Sequence, residues 1–157
     1  MEKLLRLLNP KTVNYEAIRV DNAKSELTAQ DVVLAMSYAK LTPLQDNLIR
    51  LKCLDANTID NVELFAKLLA KIYLERFSKV GVAHEYHHSI VKVALIEFCL
   101  VAGDYKPTER NRELISGFSD STVRKHMKKH IDQVLTELNG EYELAQEKIF
   151  FQLNKTY

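Results

Sequence analysis

Apolar residues recur along this chain every three or four positions, the spacing that places them on one face of an α-helix. The first such run predicts a helix from Thr28, a good N-cap, to about Leu41. Thr42-Pro43 opens the next, because proline at the first helical position gives up a hydrogen bond that is missing there anyway. That helix is expected to reach about Leu54. Thr58 caps a longer one, with Val62, Phe65, Leu69, Ile72 and Tyr73 on one face, and Val80-Gly81 ends it. A further helix is expected from about His84 to Ala102, stopping at Gly103, and a short one after Pro107. A basic helix over roughly 120–138 follows. Gly140 is expected to break it, and a last helix ends near Leu153.

Residues 1–27 read as irregular, with a short apolar turn at Leu4–Leu8 and a break at Asn9-Pro10. No run shows the two-residue alternation of a strand, and there is no repeat or low-complexity tract. The four glycines and three prolines fall between the periodic runs. The pattern predicts an all-α protein of about six or seven helices. Residues 28–157 would form a single helical domain behind the irregular segment 1–27. Within it, 105–138 would form a C-terminal helix-turn-helix-like element.

That element rests on Gly117 to Lys129, GFSDSTVRKHMKK. Gly117 supplies a turn that only a residue without Cβ makes cheaply. Phe118 can pin the turn to a core, and Ser119 can cap a new helix. Val123, Met127, Ile131, Val134 and Leu138 share one face of that helix. The other face carries Arg124, Lys125, Lys128 and Lys129. Ser121 and Thr122 sit in the first turn, where DNA-reading helices present short polar side chains to base edges. The preceding stretch fits a standard first helix less well, since Arg112, Glu113 and Ser116 stand where apolar residues are usual. The plainer reading is a capped surface helix with a solvated basic face.

Charge favours the first reading. The chain sums to only +1, yet residues 105–130 carry seven basic and three acidic side chains. Residues 1–104 carry thirteen of each, and 131–157 carry two basic and five acidic. One basic segment around a candidate recognition helix is the electrostatic footprint of a DNA-binding element.

At 157 residues the chain can bury about 68–70% of its unfolded surface and needs no staple. Cys53 and Cys99 are too few for a zinc ribbon or a disulfide framework, and they read as buried free thiols, consistent with a reducing cytoplasm. No apolar stretch approaches a membrane span, and MEKLLRLLNPK shows no secretory signal. A cytoplasmic protein with no membrane partner is expected. A rival motif is His84-Glu85-Tyr86-His87-His88, which matches H-E-x-x-H. Histidines four apart on a helix can hold one zinc, with the glutamate as general base. Glu97, Asp104 or Glu109 would then supply the third ligand. Zincin sites hold substrate along a sheet edge, and this sequence predicts no strand.

Several segments, in order, resemble the Q-type late-gene transcription antitermination proteins of lambdoid bacteriophages. Asn9-Pro10-Lys11-Thr12 is similar to that family's Ser-Pro-Lys-Ser segment. Leu27 to Met36 resembles its Asp-Val-x-x-Ala-Met helix. Phe65-Ala66-Lys67 followed by Lys79-Val80-Gly81-Val82-Ala83 resembles a helix and a turn ending in Gly-Val-Ala. Val91 to Cys99 has the rhythm of its apolar helix, and Leu114-Ile115 through Arg124 to Asp132 and Leu135 resembles its C-terminal region. One departure is large: the zinc-binding CxxC…CxxC insertion of lambda-type members is replaced by Asp104 to Asn111, without cysteine. Zinc is therefore not implied, and Lys106, Arg110 and Arg112 become candidate substitutes for its phosphate contacts.

The resemblance implies a non-enzymatic regulator without a cofactor. Such proteins bind double-stranded DNA near a late promoter. They load onto host RNA polymerase at its flap and onto the sigma factor, and let polymerase read through terminators. The expected DNA-binding residues are Arg110, Arg112, Ser119, Ser121, Thr122, Arg124, Lys125, Lys128 and Lys129, with no metal ligand and no catalytic residue. The expected location is the cytoplasm of an infected or lysogenic bacterium. A helix-turn-helix repressor is the alternative, and a zinc metalloprotease acting through His84, Glu85 and His88 a more distant one.

Overall fold

The computed structural model describes residues 29–100 and 108–156. The expectations for segment 1–27, the Thr28 cap, the stop at Gly103, Asp104, Lys106 and Pro107 lie outside the described residues. Every described element is helical, and the chain is all-α as the apolar spacing predicts. The elements are α1 (Ala29–Tyr38), α2 (Pro43–Cys53), α3 (Ile59–Lys79), α4 (His84–Leu100), α5 (Glu109–Ser116) and α6 (Asp120–Thr122). A π-helical turn (Val123–Met127) and α7 (Lys128–Thr156) complete them. Among the described residues no helix is long and apolar enough to cross a membrane.

Local chemistry sets the helix starts. Thr42 forms a full capping box: its Oγ1 accepts from the Gln45 N–H at 3.2 Å, and its own N–H donates to Gln45 Oε1 at 3.2 Å. Thr58 and Thr108 cap α3 and α5 by accepting from Asn61 and Asn111 at 3.3 Å and 3.2 Å. At the far end of α3, Gly81 takes φ +75, a left-handed conformation open to glycine without strain. Its N–H donates to Ser78 O and that of Val82 to Phe77 O, so the last carbonyls are satisfied.

Contacts divide the chain into two units. Of the described residues, one comprises those within 57–140, the other 29–56 together with 141–156. In the second, Ala35, Met36 and Ala39 of α1 and Ile49 of α2 bury with Ala145, Ile149 and Leu153 of α7. Gln45, almost fully buried, is tied to α7 through Glu141 and Lys148, each at 2.8 Å. In the 57–140 unit α4 is the most buried helix, with Ile90, Val91, Val93, Ala94, Leu95 and Phe98 inaccessible to solvent. The buried side of α3 runs Val62, Phe65, Ala66, Leu69 and on to Phe77. Ile72, expected on that face, is half exposed, because a 3.6-residue period carries the stripe through half-buried Tyr73 instead.

Contrary to expectation, Gly140 does not break the helix, and no separate last helix follows it. α7 runs through it without interruption. Glycine in a helix interior costs about 1 kcal/mol relative to alanine, and it keeps its backbone donor and acceptor. The apolar stripe that ends at Leu138 resumes at half-buried Tyr142 and continues through Ala145, Ile149 and Leu153. Burial of that stripe outweighs a single weak helix former.

Candidate nucleic-acid interface

The candidate interface begins at the turn between α5 and α6. Gly117 has φ +75 and its N–H donates to Glu113 O at 2.9 Å, which closes α5. Phe118 packs edge-on against Tyr86 of α4, with ring centroids 5.0 Å apart, and so anchors the turn as expected. Ser119 caps the next helix by accepting from the Thr122 N–H at 3.4 Å. Its Oγ is also 2.9 Å from Thr122 Oγ1 and 3.2 Å from Ser121 Oγ, so the three hydroxyls form one exposed polar knot.

Beyond that cap the backbone takes a π turn, with the Lys128 N–H reaching back five residues to Val123 O. Nothing in the local pattern predicted it. Such turns concentrate at functional sites, and this one holds Arg124, Lys125 and His126. The apolar face fulfils its pattern: Val123, Met127, Ile131, Val134 and Leu138 are all fully buried. The opposite side therefore faces solvent, and Arg124, Lys125, Lys128 and Lys129 are all exposed on it.

These cations are not equivalent. Arg124 pairs with Asp120 at 2.7 Å and Glu109 at 3.1 Å, and Lys128 donates to Glu109 at 3.0 Å. The Lys128 hydrogen bond, followed by the charge of Arg124, holds the Glu109 carboxyl below the usual carboxylate range. Lys125, Lys129 and Arg110 are exposed and have no acidic partner among the described residues.

Arg112 departs from its expected role. It is 4% exposed and cannot reach a phosphate. Its Nε and Nη2 donate to the two oxygens of buried Glu97 at 2.7 and 2.8 Å, and Nη2 also donates to Asp132 at 2.7 Å. Burial works against the guanidinium charge, but the bonds to Glu97 and then Asp132 outweigh it and raise its pKa above arginine's ordinary value. The α5 arginine expected at phosphates thus joins α4 and α7 inside the protein. With Arg112 removed, residues 108–130 present five basic side chains against three acidic ones.

A shallow groove of about 660 Å³ runs beside the basic face, lined by Arg76, Arg124, Lys128, Lys129, Asp132, Gln133, Thr136 and Glu137. Arg76 comes from α3, bonds Glu137, and shares it with the Tyr73 hydroxyl at 2.8 Å. Sequence reasoning missed Arg76. It lies far from the basic segment along the chain, and no local pattern distinguishes it from any other helical arginine.

The H-E-x-x-H residues open α4 but do not converge. His84 and Glu85 are exposed, and His87 is buried with its Nε2 2.9 Å from Val82 O. His88 Nε2 lies 3.2 Å from Glu63 Oε1, near enough for an ion pair but out of line for a hydrogen bond. Of the nominated third ligands, Glu97 is engaged by Arg112 and Glu109 by Lys128 and Arg124. Among the described residues no three His, Cys, Asp or Glu side chains gather to hold a metal ion.

Searches among protein-family models, curated proteins and solved structures return no match to the chain.

Proposed function

We propose that this chain is a DNA-binding transcription antitermination factor of the Q type, which its sequence segments resemble. One observation carries the reading: a helix whose inner face is wholly buried turns Arg124, Lys125, Lys128 and Lys129 outward, directly after a glycine turn and a serine cap. The basic face supplies loading on DNA near a late promoter. Host RNA polymerase, at its flap, and the sigma factor are the protein partners. DNA holds the factor close to polymerase, so a weak protein contact becomes effectively intramolecular. No catalytic step is assigned, and the setting is the cytoplasm of an infected or lysogenic bacterium.

The test is terminator read-through by purified host polymerase, with and without the full chain, on a template carrying the late promoter of the genome that encodes it. Read-through that depends on the chain is expected. DNA binding without any effect at terminators would instead mark a helix-turn-helix repressor. Arg124→Ala, Lys125→Ala and Lys128→Ala should each weaken DNA binding. A base-reading side chain should cost about 1–3 kcal/mol and relax specificity at one position, and a phosphate-reading one should lower the salt slope by about 1. Unchanged binding by all three, with helicity retained, would remove the basic face from the interface.

A further inference from the structure

Two cations of the basic face converge on one carboxylate. Glu109, in the first turn of α5, accepts from Lys128 Nζ on Oε1 at 3.0 Å, while its Oε2 lies 3.1 Å from Arg124 Nη2. Arg124, which Asp120 also holds at 2.7 Å, and Lys128 are thus brought together around an anion that offers two oxygens. A phosphodiester makes the same demand: two anionic oxygens sharing one charge, met best by charge-assisted donors. The arrangement is not buried. The side chains of Arg124, Lys128 and Glu109 are 59%, 48% and 33% exposed. Both cations also line the open groove that holds Lys129 and Arg76, so an incoming anion has a path to them. Exposed ion pairs of this kind are weak, and an anion with further cations around it can displace the carboxylate.

We infer that Arg124 and Lys128 form a phosphodiester-binding subsite for the DNA backbone, which Glu109 fills as an internal anion until DNA displaces it. This rests on the proposed DNA-binding role of the basic face and adds to it a residue that restrains binding. Glu113, one turn further along α5, has the same charge but no basic partner among the described residues. It separates release of the subsite from a general loss of repulsion.

The experiment measures binding of the full chain to a short labelled random-sequence DNA duplex by fluorescence anisotropy over a range of salt. Random sequence suffices because phosphate contacts carry non-specific binding. Glu109→Gln should tighten binding up to about fivefold, the range of one exposed ion pair. It should also steepen the log–log salt slope by about 1, as one phosphate then neutralises the subsite with no carboxylate released in exchange. Glu113→Gln should leave the slope unchanged. In an Arg124→Ala/Lys128→Ala background, Glu109→Gln should bring no gain. Equal tightening by Glu109→Gln and Glu113→Gln with unchanged slopes would overturn the subsite and leave DNA binding by this face standing. Binding by neither the wild type nor Glu109→Gln would overturn both. Binding gained only on Glu109→Gln would support the subsite most directly.

Discussion

Arg112 joins three helices of the 57–140 unit, reaching Glu97 on α4 and Asp132 on α7 from its own place in α5. A buried ion pair is not in itself stabilising, but removing one partner strands the other charge in the core. Arg112→Ala should therefore destabilise by about 3–5 kcal/mol, read as a fall in the urea midpoint. Replacing both partners, as Arg112→Met with Glu97→Leu, should recover most of that loss. A single variant with wild-type stability would show that the pair carries little. His130 gives a second residue-level expectation. Burial first, then the charges of Lys129 and Arg76, lower its pKa from the ordinary 6.5 against an opposing bond to Gln133. The folded state thus prefers neutral His130. Its contribution is complete above about pH 6.5 and is lost as pH falls through the lowered value. His130→Asn should flatten the loss of stability between about pH 7.5 and about pH 5. Equal acid sensitivity in the variant and the wild type would assign that loss to other groups.

The two glycines of the C-terminal elements behave oppositely, because their backbones differ. Gly140 lies inside α7, and a Cβ there would meet nothing within 4 Å. Gly140→Ala should raise stability by about 0.4–1 kcal/mol, mainly by restricting the unfolded chain. Gly117 also has space for a Cβ, but its φ of +75 strains any other residue. Gly117→Ala should cost about 1–2 kcal/mol and shift the angle at which α6 leaves the turn. Thermal melts of the two variants should move in opposite directions, and a shared direction would contradict this account of α7 and the turn. The same contrast explains how glycine misled the reading of the helices: it marks the end of α3 and α5 through φ, and has no such role in α7.

At the scale of the whole molecule, the proposed function needs two surfaces. Residues 1–104 carry equal numbers of basic and acidic side chains and suit phosphates poorly, since backbone binding follows basic charge. Exposed apolar side chains of the 57–140 unit, such as Leu64 and Ile72 on α3, suit a protein partner better. Serine at these positions should abolish terminator read-through in some variants while DNA affinity stays unchanged. If every variant that loses read-through loses DNA binding in proportion, one surface does both jobs. The features visible without a structure were those decided within a turn or two of helix. Threonine and serine caps, the Pro43 start, the left-handed glycines and the buried stripe from Val123 to Leu138 depend on residues three or four apart, and the sequence displays those neighbours directly. Other features were set only when distant segments packed together. Arg112 passes from a candidate phosphate contact to an internal clamp because Glu97 and Asp132 meet it in the core. Arg76 joins the groove from α3, and Glu109 settles on Arg124 and Lys128 across the turn. α7 continues through Gly140 because its apolar stripe finds partners beyond it. A side chain's charge is written in the sequence, but whether that charge faces water, a phosphate or another side chain depends on which distant residues folding brings beside it.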